Sequence, residues 1–202
     1  MLDQKIRGVW DRYMKPIGRA LARTGLSPDA VTLLGVLIQV VAAYFILEGR
    51  LVVAALVSVA AAACDALDGA LAKARGITSK FGALLDSTTD RLSDALFFLP
   101  IAWLYGVSPD LPSRDDPLIA GLALAALVFG FLVSYVKARA EGLGFECKVG
   151  IAERAERLAI IILGLLFDVL LGALVLLTVL SAVTFIQRLV HVRKQASSRV
   201  AG

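Results

Sequence analysis

Long apolar stretches separated by short polar ones run through most of this 202-residue chain. Apolar residues dominate about 29–47, 51–74, 81–105 and 116–140, and a further apolar region runs from Leu158 to Ile186. A bilayer's hydrocarbon core takes about 20 helical residues to cross, so each of the first four predicts a membrane span. Glu48-Gly49-Arg50 breaks the first pair, residues 75–80 turn the chain after the second span, and Val107-Ser108-Pro109 opens a loop after the third. Residues 141–150 form a polar loop with three glycines. The last apolar region is short for two spans. It suffices if a fifth begins near Ile151 and a sixth runs on to Arg193, with a tight turn near Asp168. One long helix would instead leave Asp168 in mid-membrane, so two helices are expected. The pattern predicts an all-α polytopic membrane protein of six spans in a single domain, with a bundle over 29–193 and a tail over 194–202.

Residues 1–26 follow a different pattern. Leu2, Ile6, Val9, Trp10, Tyr13, Ile17 and Leu21 recur at helical spacing with Lys and Arg between them. That is the signature of an amphipathic helix lying in the membrane interface, with a kink expected at Pro16. No signal-peptide apolar core is present. Ser27-Pro28-Asp29 reads as a helix N-cap followed by proline in the first turn.

Composition agrees with the pattern. The chain is 58% hydrophobic with a mean hydropathy of +0.80, too apolar for a soluble domain of this size. The net charge of +4 matters less than its placement. Lys and Arg cluster at 5–23, 73–80, 137–157 and 188–199, whereas only Arg50 and Arg114 fall in the opposite loops. The positive-inside rule makes the basic regions cytoplasmic, with both termini inside and an even number of spans. Arg193, Lys194 and Arg199 read as topology signals or lipid-headgroup contacts, and no nucleic-acid partner is expected. Cys64 and Cys147 fall on the reducing side, so no disulfide is expected.

Candidate chemistry concentrates between Asp65 and Asp94, reading DALDGALAKARGITSKFGALLDSTTDRLSD. Asp65 and Asp68 are three apart and share one helix face; Asp86 and Asp90 are four apart and share another. Gly69 and Gly82 lie one turn away on the same faces, where a missing side chain lets a ligand approach. Opposed, the two faces would gather four carboxylates around one small volume. Such crowding needs a counter-charge, and an oxygen-only donor set suits Mg²⁺, Mn²⁺ or Ca²⁺ rather than zinc.

These residues resemble the signature of the CDP-alcohol phosphotransferases: Asp65, Asp68, Gly69 and Ala72, then Gly82, Asp86 and Asp90, at matching spacings. Lys73 stands where that family usually has Arg; it keeps the charge but loses the planar fork, leaving Arg75 or Lys80 as alternative diphosphate contacts. The resemblance implies a CDP-activated lipid, CDP-diacylglycerol, with Asp65, Asp68 and Asp86 as ligands of Mg²⁺ or Mn²⁺. Asp90 would both touch metal and act as general base, and Gly69 and Ala72 would leave room for the nucleotide. Asp29 and Thr32, in a segment like one that holds cytidine in the family, are further candidates, although capping is a competing role for Asp29. The resemblance also implies a homodimer.

A second constellation is basic. Ser134 and Lys137 come near the end of the fourth span, Arg154 and Arg157 start the fifth, and Arg188 lies near the end of the sixth. Converging on the carboxylate face, they would form an anion pocket, which a phosphorylated acceptor requires and a neutral alcohol does not. Segments 134–141, 153–158 and 90–94 are similar to those of actinobacterial phosphatidylinositol-phosphate synthases. That similarity implies transfer of the phosphatidyl group from CDP-diacylglycerol to inositol 1-phosphate with release of CMP. Phosphatidylglycerophosphate synthesis, from glycerol 3-phosphate, is the alternative within the family. A cation transporter would carry its acids near mid-membrane on paired broken helices; here charge gathers at one edge and no repeat is visible. A non-catalytic scaffold leaves four aspartates in register unexplained. His191, in the basic tail, and Trp103, near the outer end of the third span, take interfacial roles.

Overall fold

The computed structural model describes residues 14–76, 79–107 and 116–200, the side chains of residues 199 and 200 excepted. Seven helices make up these residues: α1 (residues 14–22), α2 (Pro28–Leu47), α3 (Leu51–Arg75), α4 (Lys80–Gly106), α5 (Pro117–Gly142), α6 (Arg154–Leu166) and α7 (Leu170–Val200). Most of the expected interfacial helix, including Leu2, Ile6, Val9, Trp10 and Tyr13, lies outside the described residues, as does the loop bearing Arg114. The bounds expected for the six segments match helices α2–α7 closely, with α6 starting three residues later than Ile151 and α7 running past Arg193.

Local chemistry sets the boundaries. Ser27 caps α2, its hydroxyl accepting from the Ala30 amide at 3.2 Å, with Pro28 in the first turn. Ser79 caps α4 through the Gly82 amide at 2.7 Å. Asp116 caps α5 through the Leu118 and Ile119 amides. Gly76 ends α3 in the left-handed conformation, at φ 63°. Asp168, at φ 55°, makes the tight turn into α7, a conformation that short polar side chains tolerate. There α6 and α7 approach so closely that a Cβ on Gly164 would sit 2.6 Å from the Ala173 methyl.

Four helices, α2, α3, α5 and α7, are long and apolar enough to cross a membrane. The other two long-bundle members differ for visible reasons. α4 carries Asp86, Asp90 and Arg91 in its first half and Asp94 at its middle, and α6 has only 13 residues. Leu37, Leu56, Val128 and Val179 are all more than half exposed, an apolar exterior suited to lipid. The buried core gathers Ile46, Leu51, Phe97, Ile101, Ala123, Leu165 and Leu174 toward one end of the bundle. At the other end, α3 and α4 present their carboxylates, and only Val31, Cys64 and Leu71 form a small second cluster. α1 docks on this end: the Arg75 guanidinium donates to the Ala22 carbonyl at 3.0 Å, and a Cβ on Gly18 would collide with the Ala70 carbonyl. Both cysteines are free and buried.

Candidate active site

The antiparallel hairpin α2–α3 sets Thr32 against Asp68, whose Oδ2 accepts from the Thr32 hydroxyl at 2.5 Å. Asp68 is buried, Asp65 half-buried and Asp86 exposed, and one carboxylate oxygen from each lies within 4.8 Å of the others. Three like charges at that distance repel unless a cation sits among them. The donor set is oxygen only, which fits a hard divalent ion. The sequence pattern anticipated four carboxylates around one volume; three gather here, and Asp90, also expected to touch metal, is not among them.

A cavity of about 890 Å³ opens beside the three carboxylates, lined by Asp29, Thr32, Gly69, Ala72, Lys80 and Gly82 among others. Its size suits a ligand as large as a nucleotide. Nothing stands within 4 Å of a Cβ built on Gly69, so the backbone there is open to a ligand. Lys73 lines a neighbouring groove between α1 and α3 with Asp65 and Gly69. Arg75 is engaged by α1 as described; Lys80 lines the cavity and Lys73 the neighbouring groove. The cap of α2 is Ser27, so Asp29 is relieved of that duty and faces the cavity near Gly82.

Asp90 lies beside the trio without belonging to it. Its Oδ1 lies 2.7 Å from Arg154 Nη1, and its Oδ2 lies 3.1 Å from Arg91 Nη2. The same Arg154 nitrogen is 2.7 Å from Asp65 Oδ2. Its contact with Asp65 is an aligned hydrogen bond, whereas that with Asp90 is an ion pair without hydrogen-bond alignment. Arg154 therefore bridges the carboxylate of α3 to that of α4. It is the first residue of α6, where a cation opposes the helix dipole; the two aspartates supply the attraction that holds it.

One turn deeper the pairing repeats. Arg157 Nη2 donates to Asp94 Oδ2 at 3.1 Å, and both residues are buried. Asp90 and Asp94 on α4 thus match Arg154 and Arg157 on α6 as two rungs. Arg188 is buried as well, donating from Nε to the Val149 carbonyl at 2.9 Å and from Nη1 to the Val133 carbonyl at 2.6 Å. Ser134 donates back to the Gly130 carbonyl of its own helix, and Lys137 is half-buried on α5. Of the five residues expected around an acceptor phosphate, Arg154 reaches the carboxylates, while Arg157 and Arg188 turn their donors into the protein. Arg91 and Asp94 escaped the sequence reading. Both lie in segment 90–94, already noted for its resemblance, and Asp94 continues the four-residue spacing of Asp86 and Asp90, but neither was assigned a role.

With that geometry in place, comparison with known proteins becomes informative. Residues 26–191 match the family model for CDP-alcohol phosphatidyltransferases. The archaetidylinositol phosphate synthase of Pyrococcus horikoshii is 39% identical, over 95% of this chain and 96% of its own. The phosphatidylinositol phosphate synthase of Cutibacterium acnes is 36% identical, over 96% of this chain and 99% of its own. The crystal structure of Mycobacterium tuberculosis phosphatidylinositol phosphate synthase with CDP-DAG bound superposes with a TM-score of 0.80 at 38% identity, covering 90% of this chain and 94% of that one. The same enzyme in complex with manganese and citrate gives a TM-score of 0.77 at 37% identity, over 89% of this chain and 88% of that one. From the aspartate spacing through the carboxylate cluster to these relatives, the chain belongs to the CDP-alcohol phosphatidyltransferase family.

Proposed function

We propose that this enzyme transfers the phosphatidyl group of CDP-diacylglycerol to the hydroxyl of inositol 1-phosphate, giving phosphatidylinositol phosphate and CMP. The observation that carries the reading is the trio Asp65, Asp68 and Asp86 facing a nucleotide-sized cavity. Support for the acceptor comes from the relatives, which are named as archaetidylinositol phosphate or phosphatidylinositol phosphate synthases and so differ in the lipid but share inositol phosphate as the head group.

Asp65, Asp68 and Asp86 would hold the divalent metal, Mg²⁺ or Mn²⁺, which when bound neutralises the pyrophosphate of the donor. Thr32 keeps Asp68 turned toward the trio. Asp29, Gly69, Ala72, Lys73, Lys80 and Gly82 accommodate the nucleotide and its phosphates. Asp90 takes the proton of the acceptor hydroxyl as that oxygen bonds to the β-phosphorus; the bond from phosphorus to the bridging oxygen breaks, and CMP departs. Arg154 stands against both Asp65 and Asp90. An acceptor phosphate drawn to it brings its hydroxyl toward the base, with Lys137 and Ser134 alongside. Arg157 and Arg188 act on the acceptor through the shape they give α6 and its preceding loop.

The setting is a six-span homodimer in the cytoplasmic membrane, with the site and both termini on the cytoplasmic side. α4 and the short α6 complete the spans, their polar ends gathered at the site. Purified protein given CDP-diacylglycerol and Mg²⁺ is expected to release CMP with inositol 1-phosphate and far less with glycerol 3-phosphate. Preference for glycerol 3-phosphate would transfer the assignment to phosphatidylglycerophosphate synthesis. No release with either would overturn it.

A further inference from the structure

Behind the carboxylates, a narrow cavity of about 20 Å³ runs inward between α2, α3, α4 and α6. Each of the four helices contributes to its lining: Gln39 on α2, Ser58 and Asp65 on α3, Phe97 on α4 and Arg154 on α6. Gln39 and Ser58 are 2% and 1% exposed, so neither reaches bulk solvent or lipid headgroups.

Among the described residues, six buried side-chain atoms find no hydrogen-bond partner within the protein, and three of the residues that bear them line this one cavity: Gln39 through Nε2, Ser58 through Oγ and Arg154 through Nε. A buried polar group left unpaired costs about 1–3 kcal/mol, which makes three around one space a demand for an occupant. The chemistry of the three selects it. Arg154 Nε and Gln39 Nε2 are both donors and cannot satisfy one another. The occupant must accept hydrogen bonds. An anion would face the Asp65 carboxylate, and a cation would face the Arg154 guanidinium and the amide N–H of Gln39. A neutral acceptor remains, and roughly 10–15 Å³ is enough for one water.

We propose that ordered water, one molecule or two, is bound in this cavity by Gln39, Ser58 and the Nε of Arg154. Gln39 and Ser58 are then positioning residues: through water they fix, from behind, the guanidinium that bridges Asp65 and Asp90. Their placement in otherwise apolar stretches of α2 and α3 follows from that task, since dry packing would favour leucine and alanine there.

Hydroxyl-radical footprinting by X-ray irradiation of the detergent-solubilised protein tests the proposal, because radicals born from a bound water mark the side chains beside it. Phe97 lines the cavity and Phe98 does not, yet both are buried, at 1% and 4% exposure. Hydroxylation of Phe97 above the background set by Phe98 is expected, and equal, background-level marking of both would overturn the proposal. In the double variant Gln39→Leu/Ser58→Val, and in the milder Ser58→Ala, loss or reduction of Phe97 marking is expected. Undiminished marking in whichever of these elutes as folded protein would remove Gln39 and Ser58 as the water's holders.

Discussion

At the scale of single residues, the division of labour among the aspartates is set by their neighbours. Asp65, Asp68 and Asp86 share a space that a cation must neutralise, while Asp90 lies outside that group and contacts both Arg154, which it shares with Asp65, and Arg91. Asp90→Asn keeps the shape and removes the proton acceptor. A fall in kcat of about 10²–10⁴ is expected, with little change in KM for the CDP-lipid, measured as CMP release. Wild-type turnover would remove Asp90 as the base. Thr32→Val is a gentler probe, because it deletes only the hydroxyl that orients Asp68. A loss of about 10–100-fold in Mn²⁺ affinity is expected from direct binding to the purified protein, as for other partners of metal-ligating carboxylates. Unaltered Mn²⁺ affinity would place the ion away from Asp68.

At the scale of elements, α6 is short and begins with a cation, so it needs outside help to hold its place. Two devices supply it. The rungs Asp90–Arg154 and Asp94–Arg157 tie α6 to α4. α7 meanwhile grips the preceding loop at three heights: Thr184 accepts from the Ala152 amide, Arg188 donates to the Val149 carbonyl, and Gln195 pairs reciprocally with the Glu146 backbone. The helix boundaries and the aspartate trio were readable in the sequence because apolar periodicity and carboxylate spacing are local signals. The partners of Arg157 and Arg188 were not readable. A basic residue near a membrane edge looks the same whether it awaits a phosphate or is already satisfied by a distant aspartate or carbonyl. The two roles separate by experiment. Arg157→Met leaves Asp94 buried without its partner and is expected to cost about 3–5 kcal/mol of stability, whereas the double variant Asp94→Leu/Arg157→Met should regain most of it. Thermal unfolding in detergent reads both. A stable Arg157→Met protein with weakened acceptor binding alone would return Arg157 to the acceptor phosphate.

At the scale of the whole molecule, the chain separates two tasks along its length. One end of the bundle is a close-packed apolar core, and the other gathers the ionised groups around open space. In the proposed reaction the ionised end is where the phosphorylated acceptor enters and CMP leaves. Placing α4 and α6 among the spans, despite the charges of one and the shortness of the other, makes six crossings and returns the C-terminus to the side of the N-terminus. Four crossings by α2, α3, α5 and α7 alone would also be even, so counting parity does not distinguish them; the loops do. With six, the α3–α4 and α5–α6 connections share one side with both termini, the cytoplasmic side in the proposed orientation, while the α2–α3, α4–α5 and α6–α7 connections lie on the other. Single cysteines at Glu48 and Asp168 should therefore react with an impermeant maleimide from outside intact cells, and cysteines at Ser79, Leu143 and Ser198 only in inverted vesicles, all in a background with Cys64 and Cys147 replaced by alanine. The residue 168 arm is decisive for the short helix: reaction there from the same side as Leu143 would mean that α6 does not cross, and that Arg154 reaches the carboxylates from a helix lying within one leaflet.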